Sequence, residues 1–161
     1  MLFRSGLFYC VKIKVSENNT MNANCPLCTA DGGELIWKND ELRVILANEP
    51  EYPGFCRVIW QAHVSEMTSL AIADRSKMMQ TVMKVEQAII DVMQPHKVNL
   101  AALGNMVPHL HWHVIPRYQQ DITFPGSVWS APLRESDTNH LAKQLSKVPE
   151  LRKKIQDVLG V

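Results

Sequence analysis

Three histidines alternate with apolar residues in the stretch PHLHWHVIPR: His109, His111 and His113, separated by Leu110 and Trp112 and followed by Val114 and Ile115. The chain holds six histidines, so half of them sit at a strict spacing of two. In a strand, residues at i, i+2 and i+4 share a face, which predicts three imidazoles on one side and Leu110, Trp112 and Val114 on the other. Three uses of such a row are open. Imidazole is a common zinc ligand and two alternate histidines can share an ion, but a third at i+4, roughly 13 Å from the first, rarely joins them. A three-ligand catalytic site would then need a carboxylate or histidine from elsewhere. Alternatively, a neutral imidazole attacks an electrophilic phosphorus while its neighbours orient it and stabilise charge, which gives all three residues distinct roles. A purely structural role suits a lone strand histidine better than three in register.

The elements that must position these residues can be read from the flanking pattern. GELIWKNDELRVILAN reads as a hairpin, Glu34–Lys38 and Leu42–Asn48, with Asn39-Asp40 supplying turn chemistry. EPEYPGF, with Pro50, Pro53 and Gly54, reads as a loop, and FCRVIWQA as a third strand running into His63. From about Ile72 to Met93 the positions Met78, Val82, Val85, Ile89 and Val92 recur at helical spacing, predicting an amphipathic helix that Pro95 stops. The methionines on and beside this face, Met78, Met79, Met83 and Met93, read as ordinary core. VNLAAL predicts a fourth strand, GNMVP a turn and HLHWHVIPRY a fifth strand. From Thr138 to Gly160 the tail reads as two short helices, with Pro149 near the start of the second. The expected fold is α+β: a five-stranded antiparallel sheet, one long helix and a helical C-terminal tail. One sheet face can stay open to ligand, which suits a row of imidazoles.

The 161 residues fit one folded domain, divided here into an N-terminal extension (1–20), a core domain (21–135) and the helical tail (136–161). A second methionine, Met21, opens MNANCPLC, so 1–20 reads as an upstream extension in which Val11, Ile13 and Val15 allow a short edge strand, with disorder as the alternative. The 17 basic and 16 acidic residues nearly cancel, with no block of like charge to meet a nucleic-acid backbone or an anionic membrane. No apolar run approaches a membrane span, and the first stretch lacks the long apolar core and cleavage site of a secretory signal, so the expected location is cytoplasmic. Cys10, Cys25, Cys28 and Cys56 do not read as a secreted disulfide framework; reduced thiols or a metal pair fit better.

His109-Leu110-His111-Trp112-His113-Val114-Ile115 resembles the histidine triad motif, His-x-His-x-His-x-x with x apolar, of the histidine triad nucleotide hydrolases and transferases, of the diadenosine polyphosphate hydrolase-like type. The likeness runs from about Cys25 to Arg117. It implies a covalent nucleotidyl-histidine: His111 as nucleophile on the α-phosphate of an AMP-type group, His109 and His113 supporting the ring and contacting phosphate and leaving group, and water or another acceptor resolving the intermediate. It implies no cofactor for catalysis. A histidine of ordinary pKa near ~6.5 is largely neutral and nucleophilic at neutral pH. A backbone carbonyl accepting from Nδ1–H of His111 would free Nε2 to attack.

Other positions carry over one by one. Asn48 resembles the polar residue that binds ribose hydroxyls, with a strand-end cap as its alternative. Asn99 and Asn105 stand where relatives place small polar residues near the phosphates, and Met106 stands where several have serine. Some triad proteins hold a structural zinc with a Cys pair, a histidine before the long helix and the first triad histidine; here these are Cys25, Cys28, His63 and His109. Unpaired reduced cysteines are the alternative, and a redox role lacks its βαβ context. Arg117 reads as a surface strand-end residue or one approaching phosphate, and Trp129 as satellite core or as a residue closing over its own or a neighbour's site. Triad proteins pair, which implies a homodimer. The alternatives to the enzyme are a nucleotide- or partner-binding module with little turnover and a metal-dependent hydrolase.

Overall fold

The computed structural model describes residues 21–160; Cys10 and the edge strand allowed at Val11–Val15 lie outside them. One helical turn, α1 (Pro26–Thr29), precedes three strands, β1 (Glu34–Lys38), β2 (Leu42–Leu46) and β3 (Cys56–Trp60). The long helix α2 (Ile72–Met93) follows, then β4 (Lys97–Ala101), β5 (His111–Arg117) and two tail helices, α3 (Thr138–Leu145) and α4 (Val148–Leu159). The strands form one antiparallel sheet in the order β1-β2-β3-β5-β4. The expected α+β architecture is therefore present, with α2 bridging the sequence gap between β3 and the last two strands.

Local chemistry explains the boundaries. Asn39 closes the β1–β2 turn by accepting the N–H groups of Glu41 and Leu42 on its side-chain oxygen. Strand β2 ends at Leu46, short of the expected Asn48, because Ala47 turns its N–H to the Phe55 carbonyl and Glu49 bonds back to Ala47. Helix α2 ends where Gln94 enters the left-handed region at φ 53°, its N–H still held by Ile90, immediately before Pro95. Asp137 caps α3 by accepting from the His140 N–H, and Pro149 sits in the first turn of α4.

Alternation divides the sheet into two faces. Val44, Cys56, Val58, Val98 and Val114 bury against Met78, Val82, Val85, Ile89 and Met93 of α2, and Leu151 and Ile155 of α4 complete this core. Each fully buried aliphatic side chain there contributes about 1.5–3 kcal/mol. Leu110 and Trp112 belong to the same side, as the alternation predicts. The opposite face carries a smaller cluster, Ile45, Phe55, Ile59 and Ile115, covered by Cys25 and Leu27 around α1 and by Tyr52. No helix among the described residues is long and apolar enough to cross a membrane.

Candidate active site

The face opposite α2 carries the chemistry. Ile59 pairs in register with His111 and Arg57 with His113, so both imidazoles stand on the α1 side beside Ile59 and Ile115. The rings are 4.8 Å apart between centroids and meet edge to face. A cavity of about 550 Å³ opens over them, lined by Pro26, Leu27, Arg57, Asn105, Met106 and Trp129 among others. Its size is that of a small-ligand site.

His109 does not join the row. The strand expected from His109 begins at His111, because the residues before it spend their backbone groups elsewhere: the His109 N–H donates to Val107 and the Leu110 N–H to Val64. Freed from the pleat, the His109 ring turns to the cysteine pair. Its Nδ1 lies 3.5 Å from Sγ of both Cys25 and Cys28, and Nδ1 of His63 lies 3.4 Å from Cys28 Sγ. The four ligand atoms all fall within 4.8 Å of one another.

These four residues fit a tetrahedral zinc. Zn–S and Zn–N bonds of ~2.3 and ~2.0 Å set sulfur–nitrogen edges at about 3.5 Å, close to the spacings seen. His109 Nε2–H donates to the Trp60 carbonyl at 2.6 Å, which leaves Nδ1 deprotonated and facing the sulfurs. Burial raises the Cys28 thiol and lowers His109, the shifts a cluster of buried ligand groups shows without a counter-charge. Two thiolates and two imidazoles close the coordination shell and leave no position for a substrate or water.

His109 reaches the rest of the triad through its backbone. Nδ1–H of His111 donates to the His109 carbonyl at 2.6 Å, so Nε2 is the free nitrogen of a ring that lines the cavity. Burial holds His111 below the ordinary histidine range, against the opposing pull of that carbonyl. His113 is depressed to about 3, chiefly by burial and then by His111 and Arg57. Phe55 and Trp129 pack against its ring at 5.5 and 5.2 Å, so both supporting walls are aromatic.

The remaining expected residues divide. Asn105 lines the cavity and Met106, 94% exposed, stands at its mouth. Asn48 is exposed and outside the lining, and the Asn99 side-chain oxygen accepts from Arg117 at 2.9 Å. Arg117 is not a surface residue: it is 2% exposed, paired with Asp121 at 2.8 Å and bonded to Thr123 as well. Trp129 is half-exposed and closes over the site of its own chain. Arg57 was not anticipated. Its only sequence signal is a charged residue inside the apolar run CRVIW, in the phase that points away from the core.

The model of the HIT domain matches residues 31–120, more than half of the chain. This protein belongs to the HIT domain family. A Mycobacterium tuberculosis protein named AP-4-A phosphorylase is 28% identical over 105 residues, with 62% of this chain and 54% of that protein covered. A Schizosaccharomyces pombe protein named bis(5'-nucleosyl)-tetraphosphatase (asymmetrical) is 29% identical over 104 residues, covering 61% and 57% respectively. The chain thus spans a little over half the length of these curated relatives. Among solved structures, a histidine triad protein from Bradyrhizobium japonicum superposes with a TM-score of 0.62 at 27% identity, over 78% of this chain and 92% of that one. A HIT family protein from Bacillus anthracis gives 0.57 at 26%, over 80% and 96%. The match begins at residue 31, so the Cys25-Cys28 knuckle lies outside the part the family model covers.

Proposed function

We propose that this HIT domain protein is a nucleotide hydrolase or transferase that acts at an α-phosphate through a nucleotidyl-His111 intermediate. The observation that carries the reading is the bond from His111 Nδ1–H to the His109 carbonyl, which commits Nε2 to the cavity side as nucleophile. The Nε2 lone pair forms the bond to phosphorus as the bond to the leaving group breaks and its electrons depart with that group. Charge on the modified ring is met by the same carbonyl, now accepting from a more acidic Nδ1–H. Water or another acceptor then attacks phosphorus, loses its proton to solvent or to the released Nε2, and frees the nucleoside monophosphate.

The leaving group follows from the same geometry. His113 is neutral at physiological pH and Met106 supplies no hydroxyl, so departure is best served by a group stable as an anion. That favours dinucleoside polyphosphates and adenylates over phosphoramidates, and the names of the two curated relatives lie in the same direction. Asn105 is the amide placed to contact the substrate. A structural zinc is part of the proposal: Cys25, Cys28, His63 and His109 would hold it as a closed donor set, which argues against a metal-dependent hydrolase, and His109 so held would keep its carbonyl in place to orient His111. The homodimer implied by the resemblance, and the cytoplasmic location expected from the sequence pattern, stay within this proposal.

The test is turnover of diadenosine tetraphosphate by the purified protein, with acid-free trapping of adenylylated peptide by mass spectrometry. The wild type is expected to carry label on His111, and His111→Ala to lose both label and turnover. Undiminished turnover in His111→Ala removes the mechanism.

A further inference from the structure

Three arginines stand on the cavity side of the sheet, and they are not equivalent. Arg43 on β2 spends its guanidinium on the carbonyls of Asp31 and Leu27 and on the Gln61 side chain. Arg117 on β5 is closed by Asp121, Asn99 and Thr123. Both are buried and committed to structure. Arg57 on β3 is different: Nη1 reaches the Gly32 carbonyl and Nη2 a Glu49 carboxylate oxygen, each at 3.4 Å, and its buried Nε has no partner among the described residues. Its guanidinium carbon lies 5.5 Å from the centre of the Phe55 ring, the same ring that supports His113.

Position sharpens the contrast. Arg57 pairs in register with His113, two strand positions from the Ile59–His111 pair, and the side chains of Arg57, His111 and His113 line one cavity. Every other lining residue among those described is apolar, neutral or a histidine, so Arg57 is the one permanent charge there among the described residues. A cation with unspent donors in an apolar cavity is poorly compensated as it stands, and an anion with several oxygens compensates it.

We propose that Arg57 is the phosphate-binding residue of the cavity, gripping non-bridging oxygens of the nucleotide next to the His111–His113 pair. The inference rests on the nucleotide reading above and extends it from a nucleophile to a polyanion site. Glu49 is the resident competitor: its half-exposed carboxylate holds the fork at the rim and yields it to phosphate. Arg57 is then the source of phosphate affinity, while the aromatic and aliphatic walls bind the nucleoside.

Isothermal titration of the purified protein with AMP and with adenosine separates these contributions. Arg57→Gln is expected to weaken AMP by about 10- to 100-fold, the range lost with one charge-assisted hydrogen-bonding group, and to leave adenosine within about threefold. Arg57→Lys, which keeps charge but loses the fork, falls between. Glu49→Gln, which removes the competitor without touching the cavity wall, is expected to tighten AMP and leave adenosine unchanged. Equal losses for AMP and adenosine in Arg57→Gln, or AMP affinity kept in full, overturn the assignment while leaving the nucleotide reading in place. A wild type that binds neither ligand overturns both. Should Arg57→Gln fail to fold, the Arg57→Lys and Glu49→Gln pair decides, since unchanged AMP binding in both is equally fatal.

Discussion

Acidifying the protein should destabilise it through His113. His113 is packed between Phe55 and Trp129, with His111 and Arg57 as the titratable and charged groups facing it, and its folded pKa is about 3 against an ordinary 6.5. A histidine depressed in the folded state binds its proton preferentially when unfolded. Stability is therefore untouched above pH 6.5 and falls as pH drops below it, by ~1.4 kcal/mol per unit until the folded ring titrates. Between pH 7.5 and 5.0 the unfolded ring becomes almost fully protonated while the folded ring stays neutral, so the loss is about 2 kcal/mol. That is a large share of an ordinary domain stability of ~5–15 kcal/mol. Urea denaturation of the wild type and of His113→Phe at both pH values isolates the term, because every other titrating group is common to the two. The wild type should lose about 2 kcal/mol more than the variant. An identical loss in both would mean that His113 is solvated and titrates normally in the folded protein, and the picture of a neutral, aromatic-walled imidazole would go with it.

Two further predictions concern the supports of the site. Elemental analysis of chelator-free protein should find about one zinc per chain, and Cys28→Ser, which opens the tetrahedral shell, should lose most of it together with turnover, because His109 then no longer holds its carbonyl against His111. Absence of zinc from the wild type would leave the cluster as reduced thiols. Asp121→Ala strands the guanidinium of Arg117 in a site 2% exposed, and should cost about 3–5 kcal/mol in chemical denaturation. A loss below ~1 kcal/mol would show that water reaches Arg117 and that the pair behaves as a surface one.

The sequence by itself determined whatever depends on periodicity and local chemistry. The period-two alternation of PHLHWHVIPR put His111 and His113 on one face and Trp112 and Val114 in the core, because the pleat allows nothing else once Val114 is buried. The 3.6-residue recurrence from Ile72 to Met93, the Asn39-Asp40 turn and Pro149 set the helices and the first hairpin for similarly local reasons. The C-x-x-C spacing brought two thiols together, and the family motif supplied His63 and His109 as partners, which the structure gathers within 4.8 Å.

Only the tertiary structure decided what depends on which backbone groups and which donors are already taken. It started β5 only at His111, since Val107 and Val64 hold the preceding N–H groups, and so split the triad into two imidazoles that line the cavity and a metal-ligand candidate, joined by one carbonyl. It turned Arg117 and Asn99 toward each other and away from the cavity. And it separated three arginines that look alike in sequence by their long-range partners, satisfying Arg43 and Arg117 and leaving Arg57 with donors to spare: hydrogen-bond saturation is a property of neighbours that no local pattern encodes.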